Sequence, residues 1–194
     1  MTEAEILEGC RRGDRQARHE LYVQTSARIQ RLLVRMTKNP EAALDLVQMT
    51  YLKAFTKIGQ FDGRAAVVTW LHRIAVTEAL QYLRRERRNP PIATQALEYP
   101  ASESHAPAAD ARMDIDEALA LLDPLDRTLL LLRYDAGHDY RSISRIVDCA
   151  EGTVASRLHR ARERLRLALK NSYSSEDNGS PEHQIVQGRK RISG

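Results

Sequence analysis

The residues best suited to binding chemistry are the cations of a helical segment between Glu151 and Lys170. This segment carries six Arg and Lys residues against two acidic ones. It follows a short helical stretch, YRSISRIV, and a turn, DCAEG, in the order of a helix-turn-helix, which presents its second helix to the major groove of DNA. Early residues of such a helix reach base edges, whereas later cations mostly meet phosphates. The expected DNA-facing side chains are Thr153, Ser156, Arg157, His159, Arg160 and Arg164.

A second concentration of positive charge, RRERR, ends an earlier helix at Arg88. Cations at a helix C-terminus are favoured by the helix dipole, and that structural role alone would explain them. The preceding loop and helix, however, carry Phe61, Trp70, Arg73 and Thr77. Aromatic and cationic groups beside a loop suit the stacking and backbone contacts of unpaired bases, although a lone Trp is more often a core residue.

Other chemistries find little support in the sequence. It has no phosphate-cradling glycine loop and no metal-ligand spacing, and Cys10 and Cys149 lie too far apart to suggest a disulfide framework. His72 could be assembled with Asp45 or Asp62 into a catalytic site only on paper. We therefore expect no enzymatic activity, no cofactor and no metal.

Overall charge and hydropathy set weaker limits. The net charge of +4, from 30 Lys and Arg against 26 Asp and Glu, is too small to establish nucleic-acid binding by itself. The N-terminus, MTEAEILEGC, lacks the apolar segment of a signal peptide. No stretch approaches the roughly 18 apolar residues of a membrane span, so we expect a cytoplasmic protein.

Helical periodicity must position these residues. It runs from Thr2 to Arg88, with expected helix starts at Thr2, Asp14 and Asn39, a stop at Gly59 and a fourth helix from about Val68. The pattern returns at about residue 111, with starts at Asp123 and Asp139 and a long last helix from about Thr153 to Lys170. The sequence thus predicts an all-α protein of two small helical domains, 1–88 and 113–170. They are joined by a flexible linker, 89–112, which holds four of the seven prolines, and followed by a disordered tail, 171–194.

Four strings carry a resemblance to a known family: DLVQMTYLKAF, TWLHRIA, LRRERR and GTVASRLHRARERLRLAL. In their order and separation the sequence resembles the extracytoplasmic-function (ECF) group of sigma factors in the sigma-70 family. The likeness covers about residues 15–88, similar to the sigma-2 domain, and about residues 116–169, similar to sigma-4. It implies an alternative sigma factor that directs RNA polymerase to promoters.

The resemblance also implies roles for the residues that match its motifs. One helix would dock on the clamp helices of the polymerase beta-prime subunit, through Asp45, Leu46, Gln48, Met49, Leu52 and Lys53. The second domain would lie near the beta flap, with its last helix on the −35 element. The −10 element and its flipped base would be bound by Gln60, Phe61, Asp62, Gly63, Arg64, Val67, Trp70, Arg73, Thr77, Arg84, Arg85 and Arg88. Expected partners are therefore core polymerase, duplex and single-stranded promoter DNA, and in many relatives an anti-sigma factor.

The sequence also departs from the family pattern. The polymerase-binding helix is more apolar than usual at Ala42, Leu44 and Met49, and the −10 region has Val67, Val76 and Thr77 where aromatic, Arg and Asn residues are frequent. The helix-turn-helix has Ser142 for a common Glu and Asp148 for a usual glycine. An alternative is a helix-turn-helix regulator that never joins polymerase, but it leaves the DLVQ and TWLHRIA segments without a purpose.

Overall fold

The computed structural model describes residues 1–88 and 115–176, which are mostly helical, with no strand among them. This confirms the expected all-α class. A 3-10 turn, Ile58–Gln60, follows the third helix, and a π-helical segment, Leu131–Asp135, continues the fifth. The helices are α1 (Glu3–Arg11), α2 (Arg15–Thr37), α3 (Pro40–Lys57), α4 (Val67–Arg88), a short helical stretch over residues 115–120, α5 (Pro124–Leu130), α6 (Tyr140–Val147) and α7 (Glu151–Glu176).

Side-chain caps fix the starts of the first three helices where the sequence predicts them. The Thr2 hydroxyl accepts from the Glu5 amide at 3.3 Å, and the Glu5 carboxylate accepts from the Thr2 amide at 2.7 Å, which makes a complete capping box. Asp14 caps α2, and Asn39 caps α3 with Pro40 as its first residue. Each such cap stabilises its helix by about 1 kcal/mol.

The starts of α5 and α6 follow the same chemistry. The Asp123 carboxylate accepts from the Leu125 amide at 3.0 Å, with Pro124 at the first helical position. Asp139 accepts from the Ser142 amide at 2.7 Å. The predicted starts at Asp123 and Asp139 are therefore confirmed.

Several helix ends differ from the predicted ones. Helix α3 ends at Lys57, before Gly59, because the chain tightens into the 3-10 turn. Helix α7 begins at Glu151 and continues to Glu176, so residues 171–176, expected in the disordered tail, are helical. No glycine or proline interrupts the chain between Gly152 and Gly179, and a helix extends readily through such a run. The predicted linker, 89–112, and the tail beyond 176 lie outside the described residues.

The core of the first domain forms where α2 packs against α1, α3 and α4. Leu21, Leu33 and Leu71 are buried there. Gly9 permits the close approach of α1 to α2, since a Cβ at this position would lie 2.5 Å from the Cβ of Ala17. These contacts hold α3 and α4 side by side, which places the predicted polymerase and −10 segments on one domain.

The second domain packs directly on the first. Helix α6 lies against α4, and the π-helical segment after α5 lies against α2, so the buried apolar residues form one continuous cluster. Polar contacts reinforce the junction. Arg127 donates to the Met36 carbonyl at 3.0 Å, and Arg35 pairs with Asp116 at 2.7 Å. No helix within the described ranges is both long and apolar enough to cross a membrane.

Candidate nucleic-acid interface

Helices α6 and α7 form the helix-turn-helix that the sequence predicts. Ile143 and Ile146 of α6 are buried against Val154 and Leu158 of α7. Asp148 ends α6 with a left-handed backbone (φ 56°), which is why glycine is usual here and why Asp, which tolerates this conformation, can replace it. The turn therefore keeps the geometry that presents α7 outward.

The face of α7 opposite its buried stripe is polar and exposed. Ser156, His159 and Arg160 lie on it, one turn apart, with Thr153 at its edge. The Arg160 guanidinium donates to the Ser156 carbonyl at 3.4 Å and is otherwise directed away from the core. The exposed face thus contains Thr153, Ser156, His159 and Arg160, four of the six residues that the sequence predicts to contact DNA.

Arg157 and Arg164 lie on a different flank of α7, toward α5. Arg157 Nη1 is 2.9 Å from Asp126 Oδ1, and Arg164 Nη1 is 3.4 Å from Asp126 Oδ2. The Asp126 side chain is only 9% exposed, whereas those of Arg157 and Arg164 are 36% and 63% exposed. The structure thus separates two predicted DNA contacts from the outward face of the helix.

The predicted −10 loop divides into buried supports and exposed contacts. Phe61 and Val67 are buried, and the Phe61 ring packs on Trp70 at 5.3 Å between centroids. These apolar side chains therefore shape the loop from behind. The exposed residues are Gln60, Asp62, Gly63 and Arg64. Asp62 orders the loop tip by accepting from the Arg64 amide at 3.0 Å and pairing with its guanidinium at 3.3 Å.

A cleft of about 770 Å³ lies between this loop, α4 and α6. Its lining from α4 includes Trp70, Arg73 and Thr77, and α6 contributes Arg145 and Ile146. Arg145 donates to the Arg64 carbonyl at 3.4 Å. The predicted −10 surface is therefore covered in part by the first helix of the helix-turn-helix.

The basic end of α4 points away from this cleft into solvent. Arg84, Arg85 and Arg88 are exposed. Arg87 instead reaches the second domain, 3.4 Å from Asp123. Three cations thus remain on the surface for an anionic partner.

The predicted polymerase face of α3 also divides. Asp45, Gln48, Met49 and Leu52 are exposed, with Leu52 at 64%. Leu44 adds to the apolar area of this surface, as the sequence departure suggests, at 50% exposed. Two predicted contacts lie elsewhere: Leu46 is buried in the core, and the Lys53 ammonium is 2.6 Å from Glu78 of α4.

Two histidines meet at the domain junction. His72 Nδ1 lies 2.8 Å from His138 Nε2, and His72 is only 2% exposed. Burial, together with His138 and Arg28, lowers the pKa of His72 to about 3, and burial lowers the pKa of His138 as well. His72 is thus neutral and paired with a second imidazole. The catalytic site considered from the sequence would require a pairing with Asp45 or Asp62 instead.

Sequence reasoning missed Asp126 and His138. Asp126 lies 31 residues from Arg157, and His138 lies 66 residues from His72, so no local spacing marks either contact. The only available signal for Asp126 was an acidic residue on the apolar side of a short helix, where an unpaired charge would be costly.

Comparison with known proteins matches both halves of the chain. Residues 21–89 match the family model of Sigma-70 region 2, and residues 112–165 match that of Sigma-70, region 4. The RNA polymerase sigma-H factor of Pseudomonas aeruginosa is 31% identical over 179 residues, covering 85% of this chain and 92% of the relative. The ECF RNA polymerase sigma-E factor of Haemophilus influenzae is 30% identical, covering 84% and 93%.

Solved structures show the same arrangement of helices. The sigma factor RpoE of Bartonella quintana, in complex with the anti-sigma factor NepR, superposes with a TM-score of 0.64 and 26% identity, over 78% of this chain and 96% of that one. CnrH, in complex with the cytosolic domain of CnrY, shares the fold at a TM-score of 0.63 and 18% identity, over 90% and 97%.

The two helical domains, one with a helix-turn-helix, define a transcription factor of the sigma type. The chain belongs to the ECF group of the sigma-70 family.

Proposed function

We propose that this chain is an alternative sigma factor that binds core RNA polymerase through α3, contacts the −35 element with α7, and binds the opened −10 strand with the 60–66 loop and α4. The observation that carries this proposal is the coexistence of a helix-turn-helix with an outward polar face and a separate loop and cleft lined by Trp70, Arg73 and Thr77. A regulator that only binds duplex DNA has no use for the second surface.

Each surface fits its assigned partner chemically. The outward face of α7 has donors of the size that reach base edges, and the basic end of α4 can neutralise phosphates. The α3 surface combines Leu44, Met49 and Leu52 with Asp45 and Gln48, a mixture typical of protein interfaces. An anti-sigma factor is a further proposed partner, since the similar sigma factor from Bartonella quintana is bound to one.

Run-off transcription tests the function directly. Genomic fragments are transcribed by purified core polymerase with and without the full chain, and transcripts that require the chain are mapped. New start sites preceded by shared −35 and −10 sequences are the expected result. Specific duplex binding without any added initiation would instead favour the regulator that does not join polymerase.

The α3 surface gives the first mutational prediction. Asp45→Ala combined with Gln48→Ala should weaken binding to core polymerase by about 1 kcal/mol or more, because truncation of a central interface residue commonly costs that much. Affinity is measured by titrating labelled chain with core. Glu3→Ala with Gln16→Ala, a matched exposed pair on α1 and α2, should bind as the unaltered chain does. Equal core affinity of the two folded double variants would remove α3 from the interface.

The loop of residues 60–66 gives the second mutational prediction. We would exchange only residues 62–66 for those of a relative, keeping Phe61 and Val67 because they are buried supports. Extruding a base costs a few kcal/mol, so the loop must supply compensating contacts, and new exposed residues should change which base is preferred. Permanganate mapping on promoters with each base at each −10 position measures the preference. An unchanged preference, with strand opening intact, would show that the loop tip does not read this element.

A further inference from the structure

The position of Asp126 between two cations of α7 has a functional meaning if α7 binds DNA, and the inference rests on that proposed function. Asp126 is on α5, outside the helix-turn-helix proper, and its nearly buried carboxylate uses one oxygen for Arg157 and the other for Arg164. Two guanidinium groups are therefore tied to one acid along the flank of the recognition helix.

This arrangement is not needed to hold α5 on α7. Leu129 and Leu130 of α5 and Val154 and Leu158 of α7 are buried in the continuous apolar cluster, and the two helices pack against each other through it. The two ion pairs add orientation: Arg157 and Arg164 are drawn toward α5, while Ser156, His159 and Arg160 are left on the outward face. An Arg held at the edge of a recognition helix is placed for the phosphates that border the groove.

We infer that Asp126 is a positioning residue for promoter recognition: it holds Arg157 and Arg164 on the flank of α7 as contacts to the DNA backbone and so leaves base reading to Ser156, His159 and Arg160. Its negative charge also offsets part of the positive charge of α7. Asp126 thereby limits binding to duplexes of any sequence and raises the ratio of specific to general affinity.

Asp126→Asn in the full chain tests the inference, because it removes the charge and keeps the shape. Probes are a duplex selected from a randomised pool by the unaltered chain and a scrambled duplex of the same composition, each titrated across a salt series. The two freed cations should add about one phosphate contact, which makes the fall of log affinity with log salt concentration steeper. When the salt is diluted from 200 to 50 mM, the affinity of Asp126→Asn for scrambled DNA should therefore increase about threefold more than that of the unaltered chain. Affinity for the selected duplex should rise less, since a freed Arg157 can compete with Ser156, His159 and Arg160 for the groove, and the selectivity ratio should fall.

Three controls separate positioning from a structural or bulk-charge effect. Glu163→Gln removes one negative charge from a partly exposed position on α7 itself and should leave the selectivity ratio intact. Asp126→Glu keeps the charge and should preserve the salt slope. In an Arg157→Ala background, Asp126→Asn should change selectivity much less. A purely structural role would lower the melting temperature and both affinities in equal proportion.

The outcomes distinguish this inference from the proposed function. If the unaltered chain selects no duplex at all, DNA recognition by α7 fails and the role of Asp126 fails with it. If the unaltered chain is selective but folded Asp126→Asn matches it in salt slope and selectivity, only the inference about Asp126 is overturned.

Discussion

A shift from pH 7.5 to pH 5.5 is expected to lower the equilibrium constant for packing of the two helical domains against each other by at least about tenfold. The reason is the pairing of the buried His72 with the half-buried His138, whose Nδ1 and Nε2 atoms respectively lie 2.8 Å apart across the junction. When the domains separate, both imidazoles reach water. The cleft beside Trp70 and Thr77, which α6 partly covers, then becomes accessible.

Acid weakens the packing of the domains because burial lowers the pKa of both histidines. His72 has a pKa of about 3 in the packed state, against the ordinary 6.5, so packing requires the neutral ring. Contact stability is therefore fully present above about pH 6.5 and is lost as the pH falls below it, when the separated state binds protons. His72 alone accounts for a factor of about 10 over this range, and His138, whose pKa is also lowered by burial, adds to it. Two charged neighbours act in opposite directions: Arg28 lowers the pKa of His72, whereas Asp139 raises the pKa of His138.

Trp70, the single tryptophan, reports this change because it lines the cleft between the domains. Its fluorescence should move toward that of an exposed indole as the pH falls, in parallel with an increase in the radius of gyration from X-ray scattering. His72→Gln should flatten the transition, because glutamine hydrogen-bonds without titrating. His19→Gln, at an exposed position on α2, should leave it unaltered. A chain that stays equally compact at pH 5.5 would rule out control of the junction by these histidines.

Replacement of Arg160 by Ala is expected to lower the free-energy difference between binding of selected and scrambled duplexes by about 1 to 3 kcal/mol. This is the range for a bidentate arginine contact with guanine. Arg160 lies on the outward face of α7, clear of the Asp126 ion pairs. Arg157→Ala should behave differently. It should weaken binding to all duplexes alike and reduce the salt slope by about one, as loss of a phosphate contact does.

Titrations on selected and scrambled duplexes, each at several salt concentrations, measure both effects. Arg166→Ala provides a matched control, because Arg166 is on the same helix but pairs with Glu163 at 3.2 Å. Unchanged binding of both Arg160→Ala and Arg157→Ala would mean that α7 is not the recognition helix. If Arg157→Ala lowered discrimination and Arg160→Ala did not, Arg157 would be the residue that reads bases and Arg160 the one that contacts phosphates.

Local signals explain why most helix starts could be predicted. Thr2, Asp14, Asn39, Asp123 and Asp139 each place a side-chain oxygen beside the first free amides of a helix, and a cap depends only on residues two or three apart. Helix ends were less well predicted. The extension of α7 to Glu176 had no positive signal, since polar residues such as Ser and Asn suit both a helix end and a disordered tail.

The site was predicted less completely, because a motif identifies residue types and not the directions of their side chains. Leu46 and Phe61 match family motifs, but each faces the core. Arg157 and Arg160 are only three residues apart, and a contact 31 residues away, with Asp126, distinguishes them. Pairings at that distance in the chain arise from packing of whole helices, which periodicity within one helix does not specify.

Because the apolar core is unbroken, from Leu33 in α2 through Leu132 to Ile143 in α6, we expect the two domains to unfold as a single cooperative unit at neutral pH. Heat should then melt both in one transition, with a van't Hoff enthalpy equal to the calorimetric one. A fragment that ends at Arg88 would expose the apolar surface that normally meets the second domain. The stability measured for that fragment would therefore understate what the same helices have in the whole chain, and a destabilising substitution in either domain would lower the melting temperature of both.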